Sequence, residues 1–436
     1  MKDLEVDEAG STAYFSPKVY GMKELVRPNG QKVLEAEGSS YLRQRIVMSI
    51  LSGRIISVRN IRNLDEEPGL KDHEVKFLRL MEQLTNGSSV FINKTGTRFE
   101  LRPGALRGGT MEFDCGLERG MGYFIEYILL VAPFCKTAIN ITLTGLSWCH
   151  LDQSVDLIKY STLPLLKRFL GTDEGLDLKI KRRGMPPEGG GLITLQCPIK
   201  TKLRPIQLVE PGKVKRIRGT AWACRVAPNT VNRIIESARS ILNRFVSDVY
   251  IYSDHCSGEQ AGKSPGFGIS LLAETINEVK YTAEFASSPR GQTPVLPEDV
   301  GKEAATLLLS EVWKGGCIDS VHQTLTIGLM AVAPADVNKV LIGPMTNATA
   351  QFLRTIFDFL AVRFHIDDWH RAQRAIKSAN RRKREEENKD SSSEDDEEGS
   401  EDDGDESSED ERLEQCRKYV LTCVGSGYTN IGKVAF

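Results

Sequence analysis

Residues 315–364 constrain the possible folds of this chain most, because their apolar residues alternate between helical and strand spacing. The spacing predicts a first helix that ends at Pro334 and a short strand over 339–342. A second helix follows, and either Thr346 or Asn347 can cap its N-terminus. The residues that form the apolar face of the first helix are Ile318, Val321, Leu325, Leu329 and Val332. A β-rich segment ends the stretch, so the predicted order is helix, strand, helix and strand.

Two earlier stretches repeat this order of elements, and each of them ends in a hairpin. The elements predicted for the first stretch are helices 41–51 and 70–84, strand 55–61 and hairpin strands 90–94 and 98–102. Those predicted for the second are helices 121–132 and 152–170, strand 138–144 and hairpin strands 176–182 and 192–197. Two helices can cover and bury one face of a four-stranded sheet. We therefore predict a layered α+β fold with three repeats of a two-helix, four-stranded unit.

The repeats also divide the chain into predicted domains. Residues 203–295 break the repeat pattern and predict an inserted, smaller α/β domain. Residues 368–412 interrupt the last hairpin with a basic helix and an acidic, Ser-rich segment, which is too poor in apolar residues to fold and is expected to be disordered. The other predicted parts are a flexible lead-in at 1–30, repeats one and two at 31–202, and repeat three at 296–367 and 413–436.

Charge is distributed very unevenly along the chain. The formal net charge is −2, yet residues 385–411 contain 17 acidic residues and one lysine. The rest of the chain therefore carries 42 acidic and 56 basic residues, a net charge of +14. A basic body favours an anionic partner, of which nucleic acid is the first candidate.

The sequence argues against several other classes of protein. No apolar run approaches the ~20 residues that span a bilayer, and the acidic start MKDLEVDEAG does not resemble a secretory signal, so we expect no membrane partner. The nine cysteines include no CxxC pair, and the six histidines lack metal-ligand spacing. We therefore expect inert thiols and no metal site.

The most distinctive loop lies at residues 181–191 and reads KRRGMPPEGGG. Its glycines permit positive φ and a close approach of the backbone to a ligand, and its bases attract anions. The loop predicts either an anion or RNA-phosphate site, or a tight hairpin turn with a solvated basic edge. The candidate binding residues are Lys181, Arg182, Arg183, Gly189, Gly190 and Gly191, with Arg43 and Arg119 as further candidates elsewhere in the chain.

Six segments are long enough to be specific motifs: RGMPPEGGG, GGCIDSVHQ, RGTAWACRVAP, NRFVSDVYIYSD, KSPGFG and GSGYTNIGK. They resemble the RNA 3′-terminal phosphate cyclase family, and most closely its ribosome-biogenesis branch, over residues 32–367 and 413–436. The resemblance implies the RNA cyclase fold of three repeats with an inserted smaller domain. It also favours an anion site at loop 181–191 over a plain hairpin turn.

The resemblance implies a non-catalytic role in the nucleus and nucleolus. We expect a ribosome biogenesis factor of the small-subunit processome, needed for pre-rRNA processing toward 18S rRNA and for 40S subunit assembly. The expected partners are pre-rRNA, other processome components and a ribosome-biogenesis GTPase. The bases expected to contact RNA or acidic protein include Lys213, Lys215, Arg216 and Arg218.

Active cyclases attach AMP to a histidine, and this chain departs from them at that position. Its matching segment, residues 344–351, reads PMTNATAQ and has no histidine, whereas an enzyme–AMP phosphoramidate needs an imidazole nitrogen. The EGGGQ-like motif of the cyclases is here EGSSY at 37–41. The resemblance implies that Glu118 and Arg119 stand where a nucleotide phosphate approaches in the active cyclases. We therefore expect no cyclase activity, no catalytic residue and no cofactor.

Alternative functions remain open from the sequence. His322 is either a relocated nucleophile, which would leave residual cyclase activity, or a hydrogen-bonded, partly buried histidine beside Gln323. A pre-rRNA endonuclease is a second alternative, but metal-dependent cleavage requires clustered carboxylates. Asp319, Asp336 and Asp358 lie on separate elements. A protein scaffold without RNA contact is the third alternative.

Overall fold

The computed structural model describes residues 22–288, 293–369 and 417–430, and these form a mixed α+β fold. The predicted fold class is thereby confirmed. Most of the predicted lead-in, 1–21, and nearly all of the predicted basic helix and acidic segment, 370–412, lie outside the described residues. No helix within the described ranges is long and apolar enough to cross a membrane.

The first unit has a five-stranded sheet and two helices. Its elements are β1 (Lys23–Val26), β2 (Lys32–Glu37), α1 (Leu42–Ser52), β3 (Ile55–Arg59), α2 (Asp72–Leu84), β4 (Thr85–Asn86), β5 (Ser89–Ile92), β6 (Phe99–Arg102) and β7 (Ala105–Leu106). The main sheet has the order β1-β2-β3-β6-β5, and β4 pairs with β7 separately. Because β1 pairs antiparallel with β2, the predicted flexible lead-in is wrong for residues 23–26. All four residues of β1 are exposed, so no buried face imposes an alternation of apolar and polar residues on this strand.

The second unit follows directly along the chain. Its elements are β8 (Gly108–Asp114), α3 (Met121–Val131), β9 (Thr137–Gly145), α4 (Val155–Leu157), α5 (Leu163–Leu170), β10 (Asp177–Arg182) and β11 (Gly191–Cys197). A π-helical turn at Ile158–Thr162 joins α4 to α5. The four strands form a sheet in the order β10-β11-β9-β8.

The third unit is interrupted by the inserted domain. It starts with β12 (Gln207–Leu208), after which the chain forms β13 (Val214–Cys224), α6 (Asn229–Leu242), β14 (Val249–Cys256), β15 (Gly266–Thr275), β16 (Lys280–Ala286) and α7 (Pro297–Lys314). The unit then continues with α8 (Gln323–Val332), β17 (Val337–Ile342), α9 (Asn347–Leu360), β18 (Phe364–Asp368) and β19 (Tyr419–Val424). The strands β13 to β16 form their own sheet in the order β14-β13-β15-β16.

The three units share one strand topology. Their sheets contain the orders β2-β3-β6-β5, β8-β9-β11-β10 and β12-β17-β19-β18. In each sheet the first pair is parallel and the next two pairs are antiparallel. The inserted domain therefore separates the first strand of the third unit from its first helix. The sequence assigns residues 207–208 to the insertion, but the pairing of β12 with β17 joins them to the third sheet.

Helix α7 packs with the inserted domain, although the sequence assigns it to the third repeat. Its buried residues Val300, Ala304 and Leu308 share an apolar cluster with Ile234 of α6 and Ile217 of β13. The helix therefore covers the inserted sheet. The domain boundary predicted at residue 296 stays a prediction. The helix that follows this boundary, however, packs on the inserted domain, whereas the sequence assigns it to the third repeat.

The large core lies where the first helices of the three units meet. Helices α1, α3, α8 and α9 pack on one another, and α3 and α8 are apolar on nearly all sides because they lie at the centre. Gly328 of α8 allows close packing there, since a Cβ would lie 3.0 Å from atoms of Leu130 and Phe352. The eight cysteines of the described residues are free and buried.

Candidate functional site

The glycine-rich loop at 181–191 lies against a loop of the inserted domain. The Gly262 N–H donates to the Arg183 carbonyl at 2.5 Å, and the Lys263 N–H donates to the Gly189 carbonyl at 2.9 Å. A Cβ at Gly262 would lie 2.3 Å from the Gly189 oxygen, and Gly189 itself has a φ of +63°. The close backbone approach predicted for a ligand is therefore made by the chain itself. Anion binding at this loop stays a prediction.

The remaining residues of the loop have separate surroundings. Gly191 lies beside the backbone of Gly145, where a Cβ would meet the carbonyl oxygen at 2.8 Å. Arg182 is half-buried, and its Nε donates to the Gly190 carbonyl at 2.5 Å. Lys181 is exposed. Of the three predicted bases, Lys181 and Arg182 therefore remain accessible to a ligand.

Arg183 is a buried structural residue, which corrects its assignment as an anion-binding base. Only 5% of it is exposed, and its guanidinium makes a two-fold ion pair with Asp156 and a 2.9 Å hydrogen bond to Asp254. Burial alone lowers the pKa of Arg183, but the charge and hydrogen bonds of Asp156 raise it above its ordinary value. The guanidinium is thus satisfied from inside the protein. It joins the second unit to β14 of the inserted domain.

A cleft of about 900 Å³ opens next to this ion cluster, between the second unit and the inserted sheet. One wall comes from the π-helical turn and β10, and the other from β13, β14, β15 and β16. Its basic lining residues are Lys159, Lys181, Arg182, Arg183, Arg216, Arg218 and Lys280. Its acidic lining residues, Asp156 and Asp254, both contact Arg183. The lining therefore has a net charge of +5, and we call this the basic cleft.

The bases of the basic cleft differ in how far they are neutralised. Arg216 pairs with Glu274, and Arg218 pairs with Asp248. Within the part of the chain that the structure describes, the bases without a carboxylate partner are Lys159, Lys181, Arg182 and Lys280. Burial lowers the pKa of Lys280, whose ammonium group donates to a backbone carbonyl at 2.8 Å. These four groups give the cleft an uncompensated positive charge.

A second pocket, of about 730 Å³, contains the other two predicted arginines. Arg43 donates to Glu126 at 3.1 Å and lies 4.0 Å from the centroid of the Tyr123 ring. Arg119 donates to Asp152 at 2.9 Å and lies 4.6 Å from the same ring. A phosphate entering this pocket would have to compete with carboxylates that already hold both guanidinium groups.

The segment that matches the cyclase nucleophile lies at the rim of this second pocket, where Thr346 and Ala348 line it. The Thr346 side chain accepts the Thr349 N–H at 3.1 Å, which confirms Thr346 as the cap of α9. Gln323 of α8 holds the same turn, since its Oε1 accepts from the Thr346 N–H at 3.1 Å. The turn is therefore held by its own cap and by α8, and residues 344–351 include no histidine.

Two histidines that sequence reasoning missed, His73 and His150, line the second pocket from other elements. His73 Nδ1 lies 2.7 Å from the Glu118 carboxylate, and this hydrogen bond lowers the pKa of Glu118. Glu118, which the resemblance places where a nucleotide phosphate would approach, therefore contacts His73.

His322 is a buried, hydrogen-bonded histidine, as the second of its two interpretations predicts. Only 2% of it is exposed, and its Nδ1 contacts Asp319 while its Nε2 contacts the Thr162 hydroxyl at 2.8 Å. Asp319 also accepts a hydrogen bond from Thr282 of the inserted sheet. Both ring nitrogens are thus engaged, and His322 does not line the second pocket.

Comparison with known proteins places the chain in a family. The model of the RNA 3′-terminal phosphate cyclase family matches residues 34–366. The chain belongs to this family. It is 50% identical over 335 residues to the RNA 3′-terminal phosphate cyclase-like proteins of Bos taurus and Homo sapiens, which is 77% of this chain and 90% of each relative. It is 43% identical over 323 residues to the rRNA processing protein rcl1 of Schizosaccharomyces pombe, which is 73% of this chain and 88% of that relative.

One carboxyl group that lines the second pocket, Glu284, predicts a pH dependence of stability for this family member. Burial raises the pKa of Glu284 to about 7, although the Ser154 N–H donates to its carboxylate at 2.9 Å. The folded protein therefore binds this proton more tightly than the unfolded chain, where the pKa of a glutamate is about 4.3. The free energy of unfolding should fall by about 1.4 kcal/mol per pH unit between the two pKa values, and no further above pH 7.

The variant Glu284→Gln tests this pH dependence, because its amide oxygen can still accept from Ser154 and cannot ionise. We expect the loss of stability between pH 5 and pH 8, measured by urea unfolding, to be about 2 to 3 kcal/mol smaller than in the wild type. Glu278→Gln is the matched control, since Glu278 is exposed in the turn that precedes β16. An identical pH dependence in wild type and Glu284→Gln would show that Glu284 is already ionised in the fold.

One sequence pattern indicates the second wall of the basic cleft, and this pattern lies outside the glycine-rich loop 181–191. Tyr250 and Tyr252 alternate with Ile251, and in a strand such alternation places both rings on one face. The structure exposes both tyrosines on β14 while it buries Ile251. Tyr160 and Lys280, in contrast, have no sequence pattern that separates them from ordinary surface residues.

Proposed function

We propose that this protein is a non-catalytic factor of pre-rRNA processing. The observation that supports this proposal most strongly is the turn at 344–351. The turn has a capping residue and a contact with Gln323 but no histidine that could accept AMP. The S. pombe relative, named as an rRNA processing protein, supports the processing role. The mammalian relatives are named cyclase-like, which agrees with a cyclase fold that serves another function.

The finer form of the proposal places the protein in the small-subunit processome of the nucleolus. There it supports maturation toward 18S rRNA and 40S subunit assembly, in contact with pre-rRNA and with a ribosome-biogenesis GTPase. The basic body and the uncompensated charge of the basic cleft support an anionic partner. Its own bases contribute binding and positioning rather than bond cleavage.

Depletion and rescue in cells test the processing role. Cells that lack their own copy of the protein should accumulate 18S precursors, seen by hybridisation, while precursors of the large-subunit rRNA mature normally. Expression of this chain should restore 18S rRNA, and affinity purification should recover pre-rRNA together with a GTPase. Equal loss of both subunits, or rescue without any associated pre-rRNA, would contradict the proposal.

The absence of cyclase activity gives a direct biochemical prediction. Incubation with labelled ATP and a divalent metal should leave no AMP on the protein, because no histidine lies at the nucleophile turn and the pocket residues Arg43 and Arg119 are paired with carboxylates. An RNA 3′-phosphate should likewise remain uncyclised. Gel autoradiography and mass spectrometry measure the two reactions, with an active cyclase as the positive control.

Three single variants locate any unexpected AMP adduct. His322→Ala, His73→Ala and His150→Ala should all behave like the wild type in the labelling assay. An acid-labile adduct that disappears in only one of them would contradict the non-catalytic proposal and would identify the nucleophile. Specific cleavage of added pre-rRNA by the wild type would instead favour the endonuclease alternative.

A further inference from the structure

We propose that the basic cleft binds a single strand of RNA, whose phosphates contact its unpaired bases and whose nucleobases stack on tyrosines at its rim. The inference rests on the proposed function, since it specifies which surface of a pre-rRNA processing factor meets RNA. The cleft lies between the second unit and the inserted domain. It shares Leu157 and Thr282 with the lining of the second pocket, but the nucleophile turn does not line it.

The positive charge of the cleft comes from both of its walls. Lys159 and Lys181 approach the cleft from the second unit, and Lys280 approaches it from the inserted sheet. Within the described residues none of these ammonium groups has a carboxylate partner in the cleft. A bound phosphate would satisfy such groups and release the counterions that otherwise neutralise it.

Aromatic rings lie beside these charges. Tyr160 is 46% exposed and Tyr252 is 56% exposed, and both line the cleft. Tyr250 stands edge-on to Tyr252, with a distance of 4.6 Å between the ring centroids. The ammonium group of Lys159 lies 5.5 Å from the Tyr160 ring centroid, so one wall offers a base and a ring side by side. Alternating charge and aromatic surface is the arrangement that binds single-stranded nucleic acids.

These rings favour a single strand over other anions. A duplex stacks its bases internally, so its bases do not stack on exposed tyrosines. An acidic peptide would satisfy the lysines but would leave Tyr160, Tyr250 and Tyr252 without a matching group. The two walls of the cleft are also held together, because the Arg183 ion cluster and the hydrogen bonds of Gly262 connect them.

Binding of the full-length protein to a fluorescein-labelled, mixed-sequence RNA of 12 nucleotides tests the contribution of charge. Lys159→Ala with Lys181→Ala should weaken binding about tenfold, and it should reduce the slope of log K against log salt by about 1.4, because two phosphate contacts are lost. Lys94→Ala with Lys302→Ala is the matched control, since both lysines are exposed and lie outside the cleft. This control should change affinity less than twofold.

A separate pair of substitutions tests the contribution of stacking. Tyr160→Ala with Tyr252→Ala should weaken RNA binding by about tenfold or more and leave the salt slope unchanged, because stacking and not charge is removed. Phe91→Ala, at an exposed ring on β5, is the control. A 12-base-pair RNA duplex and a polyglutamate peptide should bind more weakly than the single strand and should be insensitive to the tyrosine variants.

Three outcomes would overturn the proposal. One is that the wild type shows no detectable RNA binding. Another is that the cleft variants and the control variants lose RNA affinity equally. The third is tighter binding of polyglutamate or duplex than of the single strand, which would assign the cleft to an acidic protein or to duplex RNA. The readout is independent of the depletion experiment, since the protein can fail to bind this RNA and still support 18S maturation through protein contacts.

Discussion

Replacing Arg183 with leucine is expected to lower the free energy of unfolding by about 3 to 5 kcal/mol, because the substitution breaks a buried ion pair by removing one partner. The variant leaves the Asp156 side chain almost fully buried and without its two-fold partner. It also removes the hydrogen bond from Arg183 to Asp254 of the inserted domain. Urea unfolding of the full-length chain, followed by tryptophan fluorescence, measures the change.

Arg182→Leu is the matched control for the ion cluster. Arg182 is the preceding residue, is half-buried and donates one hydrogen bond to a carbonyl, so its loss should cost about 1 kcal/mol. The double variant Arg183→Leu with Asp156→Leu should recover much of the lost stability, because no unpaired buried charge remains. A cost below about 1 kcal/mol for Arg183→Leu alone would mean that the ion pair contributes little to stability, contrary to the expectation for a buried pair.

Replacing Gly262 with alanine is expected to cost about 2 to 4 kcal/mol. The new Cβ would lie 2.3 Å from the Gly189 oxygen and 2.6 Å from the Arg183 oxygen, and backbone cannot move aside as a flexible side chain can. The two loops would separate and lose the hydrogen bonds donated by Gly262 and Lys263. Thermal unfolding and the rate of proteolysis within loop 257–263 report the effect.

Gly258→Ala separates steric contact from backbone strain. Gly258 belongs to the same loop and has a φ of +55°, but a Cβ there would meet nothing within 4 Å. Its substitution should cost only about 1 kcal/mol, the strain of a left-handed conformation. Equal effects of the two alanines would show that the close approach at Gly262 contributes little, and the connection between the two walls of the basic cleft would then depend on Arg183.

Local elements were predictable wherever one apolar face decides the structure. The predicted strand 138–144 lies within β9, and the predicted helix 121–132 differs from α3 by one residue. The helix predicted to include Ile318 and Val321 begins only at Gln323. Gly316 and Ile318 instead form bridges with Ile342, a tertiary contact that shows no local periodicity.

The sequence by itself determined the fold class, the order of helices and strands, the family motifs and the missing histidine, because each depends on neighbouring residues. Only the tertiary structure decided that Arg183 is a buried ion-pair residue, since its partners lie 27 and 71 residues away along the chain. The same holds for the basic cleft, whose lysines and tyrosines come from segments that meet only when the inserted domain packs on the second unit. The sequence determines the chemistry of each side chain, but the packing of the folded chain determines which partner neutralises a charged group.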